Sequence, residues 1–330
     1  MCIKVYNCLR YSKAMIKNEN FDLEGLQLFL DELPYDVTPT ALYNGRRLYC
    51  GYNPDEPETF NTCYDTRVYN HFLTTGKITQ NARESIGRSL HDHFIRKGIN
   101  ELVSLYDKRK IVGVMGGSAM LRTDAAFRNV ALLSKMLTEH GSLMVSGGGP
   151  GAMEATSLGA LFAGRTVAEL DDALSILAEA PRYTDARYLE MAFRVLQRYP
   201  HTGDYECLAI PTWLYGHEPT SPFATHIAKL FENSVREDLL LTISFGGLIY
   251  APGSAGTMQE IFQEAVQNHY LTLGFASPMV FLDIHFWTEE MPAYTMLSDL
   301  QAKGKYHNLI LAITDSPEEA AQKILEFQNR

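Results

Sequence analysis

The spacing of hydrophobic positions changes near residue 108 of the chain. Between residues 81 and 107, apolar side chains recur every three to four positions, which predicts one long amphipathic helix. After it, short apolar runs alternate with segments of helical spacing. This alternation is typical of a parallel sheet with helices on its faces. We therefore predict an α/β fold, a Rossmann-like doubly wound parallel sheet with helices on both faces.

Six short apolar runs bounded by glycine or polar residues are the predicted strands. They lie at 111–115, 142–146, 206–210, 247–251, 279–283 and 309–313. The predicted helices lie at about 123–139, 151–163, 222–244, 256–271, 287–303 and 316–328. One segment, at about 167–204, is too long for an ordinary connection, and we predict that it is an insertion of two helices.

The first third of the chain differs from the rest. Residues 1–105 hold four of the five cysteines and show no repeat, so we predict an N-terminal extension of undetermined role that ends in the long helix. Residues 106–330 form the predicted α/β domain. His91 and His93 lie two apart on the long helix and point to different sides, so we expect surface histidines there and no metal site.

Composition and charge narrow the class of protein. The 330 residues are 46% apolar and 21% charged, enough for one large or two ordinary domains. The formal charge of -10 makes nucleic acid an unexpected partner. The odd number of cysteines, without a C-x-x-C pair, indicates free thiols. No long uncharged apolar window or secretory signal is present, so we expect a cytoplasmic protein without membrane contact.

Three glycine-rich loops follow predicted strands. They read MGGSAM at 115–120, SGGGPGAMEAT at 146–156 and PGSAGTMQE at 252–260. Before a helix, glycine lets main-chain N–H groups turn toward an anion, whereas a tight turn made only for packing also uses glycine. Three such loops at one sheet edge favour a phosphorylated small molecule. The candidate nucleotide-binding residues in the first two loops are Gly117, Ser118, Gly147, Gly148, Gly149 and Gly151.

Two glutamates and one arginine are candidates for chemistry on that ligand. Glu260 lies about one turn into the helix that follows the third loop, and Glu154 lies similarly after the second. The helix dipole alone also favours a glutamate at such a position. A fixed carboxylate beside a bound phosphate can stabilise an oxocarbenium-like sugar or orient an attacking water. Arg236 is the candidate cation, with an ion pair to Glu232 as the alternative explanation.

Together these motifs resemble the LOG family, nucleoside 5′-monophosphate phosphoribohydrolases once mislabelled lysine decarboxylases. The resemblance covers about residues 110–330 except the insertion. It implies that Arg236 and Glu260 occupy the places of the family's catalytic arginine and glutamate. The sequence GPGAME is closer to the bacterial purine/pyrimidine nucleotide nucleosidases than to the plant-type enzymes, which usually carry glycine at the position of Glu154. This resemblance favours a catalytic or sugar-contacting role for Glu154. The family motif P-G-G-x-G-T-x-x-E aligns with 252–260, so the resemblance implies a 5′-phosphate on Gly253, Ser254, Ala255, Gly256 and Thr257.

The resemblance therefore implies a hydrolase that needs neither metal nor cofactor, splits nucleoside monophosphates into base and ribose 5-phosphate, and is at least a homodimer. Ser254 departs from the motif, where the family has glycine. A non-catalytic carrier of a nucleotide or of molybdenum cofactor on the same fold is the alternative, and a dinucleotide-dependent oxidoreductase is a weaker one. Pyridoxal phosphate needs a Schiff-base lysine. The loops have none, and Lys135 and Lys229 are predicted to lie within helices.

Overall fold

The computed structural model describes residues 30–329. Its seven strands are all parallel and form one sheet in the order β4-β3-β2-β1-β5-β6-β7. They are β1 (Ile111–Met115), β2 (Leu143–Ser146), β3 (Cys207–Ala209), β4 (His226–Ile227), β5 (Gly247–Tyr250), β6 (Pro278–Leu282) and β7 (Ile310–Thr314). The chain runs outward from β1 to one edge, then returns to β5 on the other side of β1. The carboxyl ends of β1 and β5 thus flank the point where the winding reverses, which is where such sheets bind ligands.

The helices confirm the predicted α/β alternation. They are α1 (Gly45–Leu48), α2 (Tyr64–Thr74), α3 (Ala82–Val103), α4 (Ala125–Glu139), α5 (Ala152–Leu161), α6 (Val167–Leu177), α7 (Tyr188–Arg198), α8 (Asn233–Thr242), α9 (Ala255–Tyr270), α10 (Ala293–Ala302) and α11 (Pro317–Gln328). The predicted insertion supplies α6 and α7. Helices α4, α5 and α11 pack together in one layer, and α9 contacts both α8 and α10 in a second layer.

Two predicted helices begin too early. The segment predicted as a helix at 222–244 contains β4, and α8 starts only at Asn233. Its apolar run fits a short strand as well as a helix, and Ala228 N–H donates to Ala209 O at 2.8 Å. The segment predicted as a helix at 287–303 is interrupted at Pro292, and α10 begins at the next residue. Proline is poorly tolerated within a helix, which explains the interruption.

Lys229 does not lie within a helix, contrary to the prediction. It follows β4 and is buried, and its Nζ donates to both oxygens of Asp65 at 2.7 and 2.9 Å and to Thr220 Oγ1 at 2.9 Å. All three ammonium donors are therefore engaged. This buried ion pair joins the N-terminal extension to the α/β domain.

The described part of the extension packs along the β4 edge of the sheet. Tyr43 and Ile227 form an antiparallel bridge, with main-chain N–H to O distances of 2.9 and 2.7 Å. The Tyr43 side chain is fully buried in the same core as the strands. The extension thus completes the hydrophobic core at this edge.

His91 is buried, so the prediction of a surface histidine is wrong for this residue, whereas His93 is exposed. His91 Nε2 lies 2.9 Å from the Tyr43 hydroxyl, and Nδ1 lies 2.9 Å from Asp92 Oδ1. The Asp92 carboxylate also accepts the N–H groups of Phe231 and Glu232, immediately before α8, at 2.8 to 3.1 Å. This buried polar network fixes the start of the helix that carries Arg236.

The remaining sequence predictions concern the cysteines, membrane spans and metal sites. Cys2 and Cys8 lie outside residues 30–329, and Cys50, Cys63 and Cys207 are free thiols. None of the described helices combines the length and the hydrophobicity that a membrane span requires. Within the same residues, no group of three or more His, Cys, Asp or Glu side chains is arranged to hold a metal ion.

We expect Asp92→Ala to destabilise the protein. It removes the acceptor of two main-chain N–H groups, and a buried donor left without a partner costs about 1–3 kcal/mol. Urea unfolding should show a lower free energy of unfolding for this variant, while His93→Ala, on the exposed side of the same helix, should match the unmodified protein. Equal stability of the two variants would contradict the role given to Asp92.

Candidate functional site

The three glycine-rich loops meet at the carboxyl edge of the sheet, around Gly117. Gly117 N–H donates to Pro252 O in the loop after β5 at 3.0 Å, and Gly117 O accepts Ala152 N–H at the start of α5 at 3.2 Å. A Cβ on Gly116 would lie 2.6 Å from the Cβ of Ala152, so only glycine fits there. The structure therefore brings the loops after β1, β2 and β5 into main-chain contact.

The loop after β5 presents main-chain donors at the start of α9. The first hydrogen bond onto this turn is Met258 N–H to Ser254 O at 3.0 Å. Within residues 30–329, no protein acceptor is bonded to the N–H groups of 253–257. A Cβ on Gly253 would overlap Thr257 Oγ1, so the hydroxyl lies directly over this loop. Unpaired N–H groups at the N-terminus of a 16-residue helix can bind an anion.

Ser254, the departure from the family motif, fits this loop without backbone strain. Its φ of -114° lies outside the left-handed region, so glycine is not required. The side chain is exposed and makes no capping hydrogen bond to α9. The serine hydroxyl therefore leaves the main-chain donors of the loop free.

Arg236 reaches from α8 to the loop after β2. Its Nε–H donates to Ile210 O at 3.0 Å, and its guanidinium occupies the space that a Cβ on Gly147 would need. The alternative ion pair with Glu232 does not form in the described residues, and the Glu232 carboxylate instead accepts the Ser234 hydroxyl at 2.8 Å. Arg236 therefore points its charge toward the edge where the loops meet.

Glu260 lies on α9 within electrostatic reach of Arg236. Burial raises the pKa of its carboxyl to about 7, the Arg236 guanidinium acts to lower that pKa, and Glu237 acts to raise it. Glu237 is held in place, because Gln259 Nε2 donates to it at 3.0 Å and Asn233 Nδ2 at 2.7 Å. A carboxyl with a pKa near 7 exchanges its proton readily at neutral pH. The predicted pair of Arg236 and Glu260 is thus within electrostatic reach of each other, with Glu260 one turn after the β5 loop.

Glu154 lies in a different environment from Glu260. Its two oxygens accept hydrogen bonds from Arg122 at 2.6 and 2.8 Å, and one of them also accepts the Tyr188 hydroxyl at 2.6 Å. All three side chains are buried, and the Arg122 guanidinium stacks 3.4 Å from the centre of the Tyr188 ring. Both carboxylate oxygens are engaged, which favours a structural role in tying the insertion to α5 over the predicted catalytic role.

Sequence reasoning missed Arg122 and Tyr188. Arg122 also donates to the main-chain oxygens of Ala180 and Tyr188, at 3.2 and 2.9 Å, and so anchors the insertion at two points. The partners are 32 to 66 positions apart in sequence, so no local spacing links them. The one available signal was an unexplained arginine shortly after the first glycine loop.

The glycines of the β2 loop divide into two groups. Gly148 and Gly151 have φ of +73° and +67°, so the turn itself requires glycine at both positions. Gly147 and Gly149 line a cavity of about 30 Å³, beside Arg236. That volume is about one water molecule. A nucleotide can therefore reach these two glycines only if the segment that covers them moves.

The covering segment is the loop between β3 and β4, and it contains a third residue that the sequence did not reveal. Glu218 lines the same small cavity, and its Oε1 accepts the Ser118 hydroxyl at 2.9 Å. Ser221 N–H donates to Gly148 O at 2.8 Å. Two hydrogen bonds thus hold this loop over the candidate nucleotide-binding residues Ser118 and Gly148.

Glu264 lies one turn beyond Glu260 on α9 and is buried. Burial raises its pKa to about 8, and a hydrogen bond with Ser277 acts to lower it. Its Oε2 and the buried Tyr250 hydroxyl have no hydrogen-bond partner among the described residues. Glu264 is therefore a mainly protonated carboxyl at neutral pH.

Comparison with known proteins adds no family assignment. Neither a scan of protein-family models nor a search of curated proteins found a match. Among solved structures, the molybdenum cofactor binding protein of the phototrophic bacterium Rippkaea orientalis is similar at 16% identity and a TM-score of 0.41, covering 66% of this chain and 95% of that one. The molybdenum cofactor carrier protein of Chlamydomonas reinhardtii is similar at 14% identity and a TM-score of 0.40, covering 67% and 98%.

Removing each of the two charges near Glu260 should shift its pKa in opposite directions. Arg236→Ala should raise the Glu260 pKa above about 7, because it removes the favourable cation, and Glu237→Gln should lower it, because it removes a repelling carboxylate. The pKa can be read from the pH dependence of the carboxyl chemical shifts in protein labelled with ¹³C at glutamate. Shifts in the same direction for both variants would contradict the arrangement.

Glu264 gives a prediction for stability against pH. Its folded-state pKa of about 8 exceeds the ordinary 4.5, so its contribution to stability is complete below about pH 4.5 and is lost as the pH rises through about 8. In Glu264→Gln, the free energy of unfolding should therefore fall less between about pH 5 and about pH 9 than in the unmodified protein. Because the Glu260 pKa is also raised, the stability of Glu264→Gln should still fall with pH, but less steeply.

The matched control for this measurement is Glu289→Gln, which changes an exposed carboxyl. Its unfolding profile against pH should follow that of the unmodified protein. An unchanged slope in Glu264→Gln would show that this carboxyl does not hold its proton in the folded state.

Proposed function

We propose that the protein hydrolyses the N-glycosidic bond of a nucleoside 5′-monophosphate, releasing the free base and ribose 5-phosphate. One observation carries this proposal: a carboxyl of pKa about 7, Glu260, lies within electrostatic reach of Arg236 and one turn after a loop of unpaired main-chain donors. The combination offers an anion site and a proton-exchanging group within one helix turn of each other. It is the combination that chemistry on a phosphorylated sugar needs.

The substrate's 5′-phosphate would bind the N–H groups of 253–257 and the Thr257 hydroxyl. These donors need no rearrangement, because they already lack protein acceptors in the described residues. The positive end of the α9 dipole adds to the attraction for an anion. Binding at this loop would place the attached ribose toward the side chains that follow in α9.

In the reaction, the bond between C1′ of the ribose and the base nitrogen breaks, and a bond forms between C1′ and the oxygen of water. Positive charge develops on the ribose, and the Glu260 carboxylate would stabilise it and orient the water, whose proton it can accept. The departing base takes up a proton from solvent, and Glu260 releases to solvent the proton that it accepted from the water, so the reaction balances. Arg236 would hold the substrate and stabilise negative charge on the leaving base. Glu154 takes no part in this scheme, since both of its oxygens are already engaged.

A non-catalytic carrier is the second candidate function. The observation that favours it is the ion pair of Arg122 with Glu154, which leaves only one of the two predicted carboxylates free for chemistry. A carrier needs the phosphate-binding loop and no acid or base. The same assay separates the two candidates.

The test is to incubate the protein with AMP, GMP, CMP, UMP or IMP and measure free base and ribose 5-phosphate. We expect release with at least one of them, a kcat/KM that rises with pH through about 7 as Glu260 ionises, and a loss of about 100-fold or more in Glu260→Gln and Arg236→Ala. Asp238→Asn, on the exposed side of α8, is the matched control and should retain activity.

Two outcomes would overturn parts of this proposal. Nucleotide binding without release of base or ribose 5-phosphate would reject the hydrolase and support the carrier. Release that survives unchanged in both Glu260→Gln and Arg236→Ala would show that the reaction takes place elsewhere in the protein.

A further inference from the structure

A cavity of about 350 Å³ lies between the N-terminal extension, the insertion and the loop between β3 and β4. Its volume is within the range of small-molecule sites. Most of its wall comes from the two parts of the chain that the family resemblance does not cover. We propose that this cavity is a second ligand site, separate from the phosphate-binding loop, which takes an uncharged heteroaromatic molecule of the size of a nucleoside.

The wall of the cavity is aromatic. Five of the lining side chains are Tyr52, Phe60, Tyr69, Tyr183 and Tyr188. The rings of Tyr52 and Phe60 meet edge to face, with centroids 6.4 Å apart and planes at 89°. Aromatic walls favour planar ring ligands, which they contact by offset stacking or by edge-to-face packing.

Charge excludes an anionic ligand. None of the described residues that line the cavity is lysine or arginine, so a phosphate would find no lysine or arginine partner there. The two lining carboxylates are already engaged: Asp65 is bonded to Lys229, and Asp185 Oδ2 accepts Arg182 N–H at 2.7 Å. A neutral molecule therefore fits the cavity better than an anion.

Polar groups in the wall are free to orient such a ligand. The side-chain amide of Asn70 and the ring of His217 line the cavity and make no hydrogen bond with another described residue. The Asn70 amide can both donate and accept, and the imidazole ring of His217 adds a further hydrogen-bonding group. Heteroaromatic rings with ring nitrogens and exocyclic amino or carbonyl groups match these two exposed groups, whereas a hydrocarbon ring offers them no hydrogen bond.

The cavity adjoins the candidate site without being part of it. His217 lines the cavity, and the next residue, Glu218, lines the small space beside Arg236 and bonds Ser118. Tyr188 contributes to the cavity wall while its hydroxyl bonds Glu154. A ligand in the cavity would thus contact the loop that covers Gly147 and Gly149.

The protein carries its own reporter for this cavity. Trp213 is fully buried, and its Nε1–H donates to Asp65, a residue of the cavity wall, at 3.0 Å. The chain has one other tryptophan, Trp287, whose Nε1–H donates to Tyr250 O on β5. In a Trp287→Phe variant, the tryptophan emission therefore comes from Trp213 alone.

The test is to titrate Trp287→Phe with adenosine, inosine and uridine and to follow Trp213 emission. Calorimetry on the unmodified protein provides a second measurement that does not depend on this variant. We expect saturable binding of at least one nucleoside. Tyr183→Ala, which removes one aromatic wall, should weaken it about tenfold, and Ala186→Phe, which fills the cavity from the insertion, should abolish it. The exposed neighbour Thr184→Ala is the matched control and should leave binding unchanged.

Absence of binding for all three nucleosides in calorimetry would overturn the proposal. It would also be overturned if binding were unchanged in both Tyr183→Ala and Ala186→Phe, or if Arg236→Ala abolished nucleoside binding, because the ligand would then occupy the site beside the phosphate-binding loop. The assay for hydrolysis of nucleoside monophosphates is independent of this result, so the two proposals can fail separately.

Discussion

The candidate site depends on main-chain contact between three loops. Gly117 donates to Pro252 and accepts from Ala152, and Gly116 and Gly253 leave no room for a Cβ between the loops. Because these contacts involve backbone atoms, they fix the relative positions of the loops independently of most side chains. The helices α4, α5 and α9, which follow these loops, therefore begin at the same edge of the sheet. Any larger residue at the contact points would move the anion-binding loop away from the residues on α8 and α9.

The parts of this arrangement that sequence could predict are those with a local signature. Alternating apolar runs and helical segments predicted six of the seven strands, and glycine after three of them predicted the loops. The two-residue strand β4 was missed because its main-chain partners, Ala209 and Tyr43, are distant in sequence. The same limit applies to Glu154. Its position after a glycine loop predicted chemistry, but the partner that engages it, Arg122, left no local pattern.

In the N-terminal extension, too, the sequence predicted the local structure but not the long-range contacts. Helical spacing correctly indicated that His91 and His93 face different sides of α3, but spacing does not reveal what packs against each side. His91 is buried because Tyr43, 48 positions earlier, lies against it. Through Asp92 this network reaches Glu232, the residue immediately before α8. The extension, which carried no functional signal in its sequence, therefore helps to position the arginine of the candidate site.

The bridge between Tyr43 and Ile227 also covers the β4 edge of the sheet. Unpaired edges of a sheet are templates on which a strand of another chain can add. The extension packs against the edge strand β4, which is the shortest described strand, so this edge is protected from pairing with another chain. At the opposite margin, β7 pairs with β6 alone among the described residues, and Ile310 is 37% exposed. Resistance to strand-mediated aggregation is consequently unequal at the two margins, and chains that lose the extension would have two vulnerable edges in place of one.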